Sequence, residues 1–217
     1  MTASLTRRLS ALYFGLALYG VSLAVMIRAD LGLDPWDVFH QGVTEHTGLS
    51  FGTVTAITGV VVLLIWIPLR QKPGLGTISN VIVIAVAVDA ALAVLPTVES
   101  IPLRVTLMVA AVIVNAYATV LYIGAGLGPG PRDGLMTGFV ARTGLSVRLV
   151  RTIIEVTVLT VGFFLGGSIG VGTVIYAFGI GPLVHLFASV FSSSDVTGAL
   201  GQSKTNTVDP VIGTTVP

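Results

Sequence analysis

The sequence predicts an all-α fold: a polytopic membrane bundle of two inverted three-helix repeats, each with a short re-entrant or broken helix. Three observations lead to this prediction: the composition, a set of six long apolar stretches, and an internal duplication. Of the 217 residues, 53% are hydrophobic and only 10% are charged. A soluble domain carries about a quarter charged residues, and so few charges cannot cover a water-exposed surface. Lipid is therefore expected to surround most of the chain.

Six apolar stretches have roughly the length that a spanning helix requires, about 20 residues. In chain order they are Leu9–Ile27, Phe51–Leu69, Leu75–Leu95, Val105–Leu127, Leu149–Leu165 and Ile169–Phe191. The fifth contains Arg151 and Glu155 and is the weakest of the set. The first resembles a signal peptide, but it is long for the apolar region of one and is interpreted as a spanning helix. Residues 192–217 are polar, which predicts a disordered tail.

A duplication relates the two halves of the chain at an offset of 96 residues without a gap. LGLDPWD at 31–37 aligns with LGPGPRD at 127–133, HTGLS at 46–50 with RTGLS at 142–146, and PGLGT at 73–77 with IGVGT at 169–173. About a third of the residues over 27–90 have an identical counterpart, far more than a biased composition gives by chance. The sequence therefore predicts a first repeat over 1–96 and a second over 97–191.

Each repeat also contains a segment of about 13 residues that is too short to span a bilayer. Pro35–Thr47 and Pro131–Thr143 each begin with a proline in the first turn, and Gly48 and Gly144 follow as helix terminators. With these segments as short helices, each half crosses the membrane three times. An odd number of crossings inverts the second half relative to the first, as in many secondary transporters.

The distribution of basic residues gives an independent prediction of orientation. With the N-terminus and C-terminus in the cytoplasm, nine of the eleven basic residues lie on the cytoplasmic side and two, Arg28 and Arg104, lie outside. The nine are Arg7, Arg8, Arg70, Lys72, Arg132, Arg142, Arg148, Arg151 and Lys204. This bias agrees with the positive-inside rule.

Two groups of charged residues are candidates for binding a solute. If the two short helices point into the bilayer from opposite leaflets, their amino ends bring Trp36, Asp37, Arg132 and Asp133 toward one central cavity. Arg148, Arg151 and Glu155 are spaced three and four apart and share one helix face. The alternatives are structural: the aspartates cap free N–H groups, and Arg151 pairs with Glu155 only to hold the fold.

Three titratable residues are candidates for proton coupling: Glu155, Asp89 and His185. Asp89 and His185 are 96 residues apart and occupy equivalent places in the two repeats. Alternatively, both lie near helix ends, hydrated among lipid headgroups. Gly179, Gly181 and Pro182 are expected to interrupt the last helix, as in broken transporter helices, or to serve close packing.

Several function classes are excluded or left without support. The chain has no cysteine, which rules out disulfides and thiolate chemistry. It contains none of the common hydrolase, metalloprotease or phosphate-loop motifs. We therefore expect no enzyme activity, no cofactor and no metal, and a net charge of +1 argues against a nucleic-acid partner.

The segments LGLDPWD, PGLGT, AGLGPGPRDGLM and GLSVRLVRTIIE, in this order, resemble the YczE/YyaS/YitT family of bacterial integral membrane proteins. The resemblance is to its YczE-like branch and covers roughly residues 9–190. It implies a multi-helix bundle in the bacterial cytoplasmic (inner) membrane, and it does not imply a particular substrate. The positions that match the family's motifs are Pro35, Asp37, Pro131, Arg132, Asp133, Arg148, Arg151 and Glu155.

The function expected from these observations is that of a secondary permease for a small solute, embedded in the lipid bilayer. That solute is anionic or zwitterionic if Arg132, Arg148 and Arg151 hold it. The alternative is a non-transporting regulator or membrane subunit that acts through a protein partner, with the basic surface around Arg132–Arg151 as its docking site. Both alternatives are compatible with a homo-oligomer.

Overall fold

The computed structural model describes residues 4–190, and within that range the chain forms eight helices. They are α1 Leu5–Ala29, α2 Pro35–Thr47, α3 Phe51–Leu69, α4 Leu75–Val94, α5 Ile101–Gly124, α6 Pro131–Thr143, α7 Val147–Phe164 and α8 Val171–Val190. The predicted tail over 192–217 and the last residue of the sixth apolar stretch lie outside the described residues. The prediction of an all-helical membrane bundle is confirmed.

Five of the described helices are long and apolar enough to cross a membrane by length and composition: α1, α3, α4, α5 and α8. Their outward faces carry large apolar side chains, such as Ile67 and Phe178, which suit a lipid surround. The sixth predicted span, α7, does not meet the same criterion. It has 18 residues and carries Arg148, Arg151 and Glu155, which lower its hydropathy.

The short helices α2 and α6 begin and end where the sequence predicts. Pro35 and Pro131 are the first helical residues, where a missing N–H leaves no hydrogen bond unmade. Gly48 and Gly144 end the helices with a φ of 69° each, in the left-handed region that glycine adopts without a steric penalty. Ser50 and Ser146 then cap α3 and α7 through their side chains.

The prediction that Gly179, Gly181 and Pro182 interrupt the last helix is wrong. Helix α8 continues from Val171 to Val190 with Pro182 inside it. Proline removes one backbone donor, which a membrane helix tolerates when local adjustments satisfy the freed group. A Cβ atom on Gly181 would meet nothing within 4 Å, so no neighbouring element forces the chain away from its helical path.

Contacts between α1 and α5 recur at the offset of 96 residues. Arg8 Nε donates to the carbonyl oxygen of Ala125 at 2.8 Å, and Arg104 Nε donates to that of Ala29 at 2.6 Å. Arg104 is the counterpart of Arg8, and Ala125 is the counterpart of Ala29. Since the start of each helix contacts the end of the other, α1 and α5 run antiparallel.

The loops before the short helices exchange equivalent contacts as well. The N–H of Gly76 in α4 donates to Leu127 O at 2.7 Å, and the N–H of Gly172 in α8 donates to Leu31 O at 2.6 Å. Each half thus holds the loop of the other half through the first turn of its last helix. The pattern is not fully symmetric, because α3 packs against α4 while the equivalent α7 and α8 hardly touch.

Two apolar cores divide the helices into two groups. The larger core is built mainly from α1, α4 and α5, and α8 packs on α5; we call this group the α1/α5 body. The smaller core contains Trp36, Val62, Trp66 and Leu135. It belongs to α2, α3, α6 and α7, in which α2 packs on α7 and α6 on α3; we call this group the α2/α6 body, and its α3 also packs on α4 of the other body. Each body therefore combines two helices from each repeat.

Candidate functional site

Asp34 lies at the amino end of α2, where its side chain caps the helix. Its Oδ1 atom accepts hydrogen bonds from the backbone N–H groups of Trp36, at 2.9 Å, and Asp37, at 3.0 Å. The residue is 3% exposed, and its second oxygen, Oδ2, is buried without a hydrogen-bond partner among the described residues. A buried carboxylate oxygen that lacks a donor is costly, so this atom can still accept a proton or a cation.

Asp37 and His40 continue the same face of α2. Asp37 Oδ1 is 3.0 Å from His40 Nδ1, and each residue is 1% exposed. Because an ionised carboxylate only accepts hydrogen bonds, we assign the proton to Nδ1 as the donor. Burial lowers the pKa of His40, and the positive charge of Arg132 lowers it further. The imidazole is therefore neutral at pH 7.

Arg132 reaches this face from the first turn of α6. Its Nη1 atom is 3.6 Å from Asp34 Oδ1 and its Nη2 atom is 3.4 Å from Asp37 Oδ1. The guanidinium carbon lies 5.0 Å from the centre of the Trp36 ring, a cation–π distance. The amino ends of the two short helices thus meet through one ion-paired set, which we call the Asp34–Arg132 cluster: Asp34, Trp36, Asp37, His40 and Arg132.

Trp66 of α3 fixes the position of α6 beneath this cluster. Its indole Nε1 donates to the carbonyl oxygen of Pro131 at 3.0 Å, and the residue is 1% exposed. Gly134, one turn into α6, has no side chain and leaves space for the indole ring. A larger residue there would push α6 away from α3 and carry Arg132 with it.

The α1/α5 body presents polar aromatic groups to the cluster. Tyr19 of α1 and Tyr176 of α8 lie within electrostatic range of Asp34, Asp37 and Arg132. Tyr19 also contacts Tyr122 of α5 edge to face, with ring centroids 6.1 Å apart. The cluster therefore lies between the two bodies, with ionised groups on one side and tyrosines on the other.

An amide network extends the polar region into the α1/α5 body. Asn115 is completely buried; its Nδ2 donates to Ser22 Oγ at 2.9 Å, and its Oδ1 accepts from the Tyr176 hydroxyl at 3.2 Å. These bonds orient the Tyr176 ring and tie α8 to α5. The network satisfies the polar groups that a lipid-embedded core cannot leave unpaired.

The cluster has an uneven charge balance. When ionised, Asp34 and Asp37 contribute two negative charges and Arg132 one positive charge, and His40 is neutral, so the sum is −1. Burial raises the pKa of Asp34, and the adjacent Asp37 raises it further while Arg132 lowers it. A proton on Asp34 would neutralise the cluster. When Asp34 is ionised, the cluster can therefore accept one more positive charge and become neutral.

The structure brings together only part of the predicted solute site. Trp36, Asp37 and Arg132 are in direct contact. Asp133 is half-buried and lies within electrostatic range of Arg132 and Arg151. Arg151 Nε is 2.8 Å from Glu155 Oε1, with side chains 61% and 37% exposed, and Arg148 is exposed.

The other two residues predicted for proton coupling lie elsewhere. Asp89 accepts hydrogen bonds from Ser50 Oγ at 2.5 Å and from the N–H of Gly52 at 2.7 Å. It therefore holds the first turn of α3, which is a structural role. Its counterpart His185 is exposed on α8. Their equivalence in sequence does not give them equivalent surroundings.

Sequence reasoning did not include His40, Tyr19, Tyr176 or Asp34 among the candidate site residues. One signal was present: Asp34, Asp37 and His40 are spaced at three-residue intervals, which places them on one face of a short helix. The tyrosines carried no local signal, because they lie in apolar helices and approach the cluster only through tertiary packing.

This combination of lipid-length helices and an internal charged cluster defines the molecule as a multi-pass integral membrane protein. More narrowly, the chain belongs to the group described as a family of unknown function (DUF6198), whose model matches residues 6–189. The resemblance to YczE-like membrane proteins is confirmed.

Two relatives illustrate this membership. An uncharacterized protein of Haemophilus influenzae is 34% identical over 186 residues, which cover 86% of this chain and 85% of that protein. The uncharacterized membrane protein YczE of Bacillus subtilis is 34% identical over 160 residues, covering 73% of this chain and 74% of that protein. No solved structure matches the chain.

Proposed function

We propose that this protein is a secondary permease that moves a small solute across the bacterial cytoplasmic membrane by alternating access. The observation that carries the proposal is the meeting of α2 and α6: two short helices, one from each repeat, join their amino ends through ion pairs between Arg132 and two buried carboxylates. Buried ionised groups in a membrane protein are expensive and usually mark a solute or ion pathway.

The second element of the proposal is an inverted repeat. The antiparallel run of α1 and α5 supports it, as do the paired contacts made by Arg8 and Arg104 at the offset of 96 residues. A two-fold axis perpendicular to the helices would generate this pattern. Such an axis lies in the membrane plane, as in transporters built from inverted repeats that open alternately to the two sides of the membrane.

Two apolar pockets add to the support for the repeat. One, of about 300 Å³, lies between α2 and α3, and the other, of about 220 Å³, lies between α6 and α7. Six of their lining residues are counterparts at the 96-residue offset: Val43, Thr47, Leu49, Val54, Ile57 and Thr58 in the first, and Phe139, Thr143, Leu145, Val150, Ile153 and Ile154 in the second.

The division into two bodies supplies the moving parts. Asp34 and Asp37 are 3% and 1% exposed, so a solute reaches them only if the α2/α6 body separates from the tyrosines of the α1/α5 body. Rocking of one body against the other, first open to one side and then to the other, would give alternating access.

The alternative, a regulator that docks a partner on a cytoplasmic basic surface around Arg132–Arg151, has less support. Arg132 is engaged by two carboxylates, Arg151 by Glu155, and Arg142 donates to the carbonyl oxygen of Pro68. These contacts leave Arg148 as the basic residue of that segment with neither an ion pair nor a side-chain hydrogen bond among residues 4–190.

A flux assay tests the permease proposal. Purified protein in proteoliposomes is exposed to a panel of small organic anions, zwitterions and amines, with and without a pH gradient, while uptake of each isotopically labelled solute is measured. We expect at least one solute to be taken up at a rate that Asp37→Asn lowers at least about tenfold, because breaking a buried charge pair is costly. Asp30→Asn is the matched control, because Asp30 pairs with Arg104 at the surface, 65% exposed. Absence of any uptake and of any ligand-dependent thermal shift across the panel would refute the proposal.

A labelling experiment tests the orientation separately. The chain has no cysteine, so Thr47→Cys and Thr143→Cys each create one thiol at the exposed end of a short helix. Contacts at the two ends of α3 support placing these thiols on opposite sides of the membrane. Thr47 lies just before the start of α3, where Ser50 donates to Asp89. Thr143 follows Arg142, which donates to the carbonyl oxygen of Pro68 at the other end of α3. With the N-terminus in the cytoplasm, an impermeant maleimide should label Thr47→Cys from outside and Thr143→Cys only from inside. Labelling of both from one side would contradict the inverted repeat.

A further inference from the structure

The charge and the surroundings of the Asp34–Arg132 cluster indicate what kind of solute the site takes. Arg132 is the cation predicted to hold an anion, but Asp34 Oδ1 and Asp37 Oδ1 lie 3.6 and 3.4 Å from its nitrogens. An anionic solute would have to displace these carboxylates or lie beside them. It would add a second negative charge to a set that sums to −1 when Asp34 is ionised, in a low-dielectric environment where like charges repel strongly.

A cation faces the opposite situation. Asp34 is 3% exposed, and its Oδ2 atom is buried without a hydrogen-bond partner among residues 4–190. This oxygen is separate from Oδ1, which caps α2 and faces Arg132. A single positive charge at Oδ2 neutralises the cluster and at the same time gives this oxygen an electrostatic partner. A proton on Asp34 does the same, and burial raises the pKa of this carboxyl, so the two compete for one place.

The groups around Asp34 favour an organic cation over a metal ion. Among the described residues, no three His, Cys, Asp or Glu side chains are arranged to hold a metal. The groups that interact with Asp34 from the packed elements are instead Tyr19 of α1, Asp37 of α2, Arg132 of α6 and Tyr176 of α8, with His40 behind Asp37. Aromatic rings bind substituted ammonium groups through cation–π contacts, and Tyr19 and Tyr176 supply such rings within electrostatic range of Asp34.

We propose that the solute is a small organic ammonium ion and that it exchanges with a proton carried by Asp34. This inference rests on the proposed function. In the exchange, the Asp34 carboxylic acid releases its proton to the open side as the ammonium ion arrives, and the resulting carboxylate pairs with the cation. On the other side the ammonium ion leaves and a proton returns to Asp34. No covalent bond to the solute forms or breaks, and one positive charge replaces another at each step.

Proton release is the direct test of the exchange. Tetramethylammonium chloride is added to the purified full-length protein in weakly buffered detergent solution that contains a pH-sensitive dye, with sodium chloride and sodium lactate as comparisons. We expect a saturable release that approaches one proton per bound cation when Asp34 starts protonated, and an apparent affinity that falls as the pH is lowered, because protons compete for the same carboxyl. Lactate and sodium chloride should release none.

Variants locate the exchange on Asp34. Asparagine caps helices as well as aspartate does, so Asp34→Asn keeps the acceptor for α2 while removing the titratable group. It should abolish the proton release and lower tetramethylammonium flux in proteoliposomes about tenfold or more. Asp30→Asn should leave both unchanged, since that carboxylate lies at the surface and asparagine tolerates the left-handed backbone of Asp30, whose φ is 47°. Thermal unfolding of each variant checks that it is folded.

The possible results separate the two proposals. Flux of lactate or another anion without flux of any amine would overturn the ammonium inference and leave the permease standing. Ammonium flux with unchanged proton release in Asp34→Asn would overturn the role of Asp34. If no solute of either charge moves, the permease proposal fails and this inference fails with it.

Discussion

Arg132→Gln is the substitution that examines the Asp34–Arg132 cluster most directly. Glutamine keeps much of the length and polarity of arginine but loses the positive charge. In the native protein one guanidinium pairs with two carboxylates, whose side chains are 3% and 2% exposed. After the substitution, two buried carboxylates face each other without a cation, and the charge of the set changes from −1 to −2.

The expected cost follows from these exposures. Removing one partner of a buried ion pair destabilises a protein by about 3–5 kcal/mol. Arg132 is itself 30% exposed, and Asp34 can relieve part of the cost by taking a proton. We therefore expect a loss near the lower end, about 3 kcal/mol of unfolding free energy. The double variant Asp37→Asn/Arg132→Gln restores the net charge to −1, and it should lose about 1–2 kcal/mol less than Arg132→Gln alone.

Tryptophan fluorescence provides the assay. The chain has two tryptophans, Trp36 and Trp66, and both belong to the smaller core beside the cluster. Equilibrium unfolding in mixed detergent micelles, followed by this fluorescence, gives the free-energy difference between each variant and the native protein. Arg148→Gln serves as the control, because Arg148 is exposed and its loss should change stability by less than about 0.5 kcal/mol.

Two results would show that the reasoning is wrong. If Arg132→Gln is no less stable than Arg148→Gln, the carboxylates do not depend on Arg132. If the double variant loses as much as the sum of its two single variants, the ion pair contributes no coupling energy, and the cluster is not the ion-paired unit described above.

Three further predictions concern the elements that hold the site. Trp66→Phe leaves the buried carbonyl of Pro131 without its donor and should cost about 1–3 kcal/mol in the same unfolding assay; an unchanged midpoint would contradict the role of this bond. Gly134→Ala places a methyl group against the indole of Trp66 and should lower the unfolding free energy by about 1–3 kcal/mol. The control Gly181→Ala, with nothing within 4 Å of its Cβ, should be neutral or stabilising. Equal losses of unfolding free energy in the two variants would rule out the packing argument. Asp89→Ala removes the acceptor at the start of α3 and should cost about 1–2 kcal/mol without altering the pH dependence of the proposed solute flux. A changed pH profile would instead support the predicted role of Asp89 in proton coupling.

Much of the helix plan could be predicted from residue types alone because it depends on local chemistry. A proline followed thirteen residues later by a glycine marks the start and end of each short helix, since proline suits the first turn and glycine the left-handed terminus. The observed ranges Pro35–Thr47 and Pro131–Thr143 agree with that punctuation. The break predicted at Gly179–Pro182 was wrong because such residues permit a break without requiring one, and packing did not require it.

The candidate site was likewise predictable only in part from the sequence. Trp36, Asp37 and Arg132 were identified as candidates because the repeat placed them at equivalent ends of two short helices. The sequence could not indicate that Arg132 is already paired with carboxylates, the observation on which the proposal of a cationic solute rests. That property depends on distances between residues about 95 positions apart, and pairing over such a separation is set by how the helices pack.

By itself, the sequence determined that this chain is a helical membrane protein, that its two halves share one plan, and where each short helix begins and ends. These properties follow from hydropathy, periodicity and backbone preference, all of which act within one or two turns of helix. Only the tertiary structure decided that helices of both halves combine into two bodies, and that the ion-paired cluster lies between them opposite Tyr19 and Tyr176. The reason is physical: the charge of a buried site is a sum over side chains from several helices, and their contacts exist only after the helices have packed.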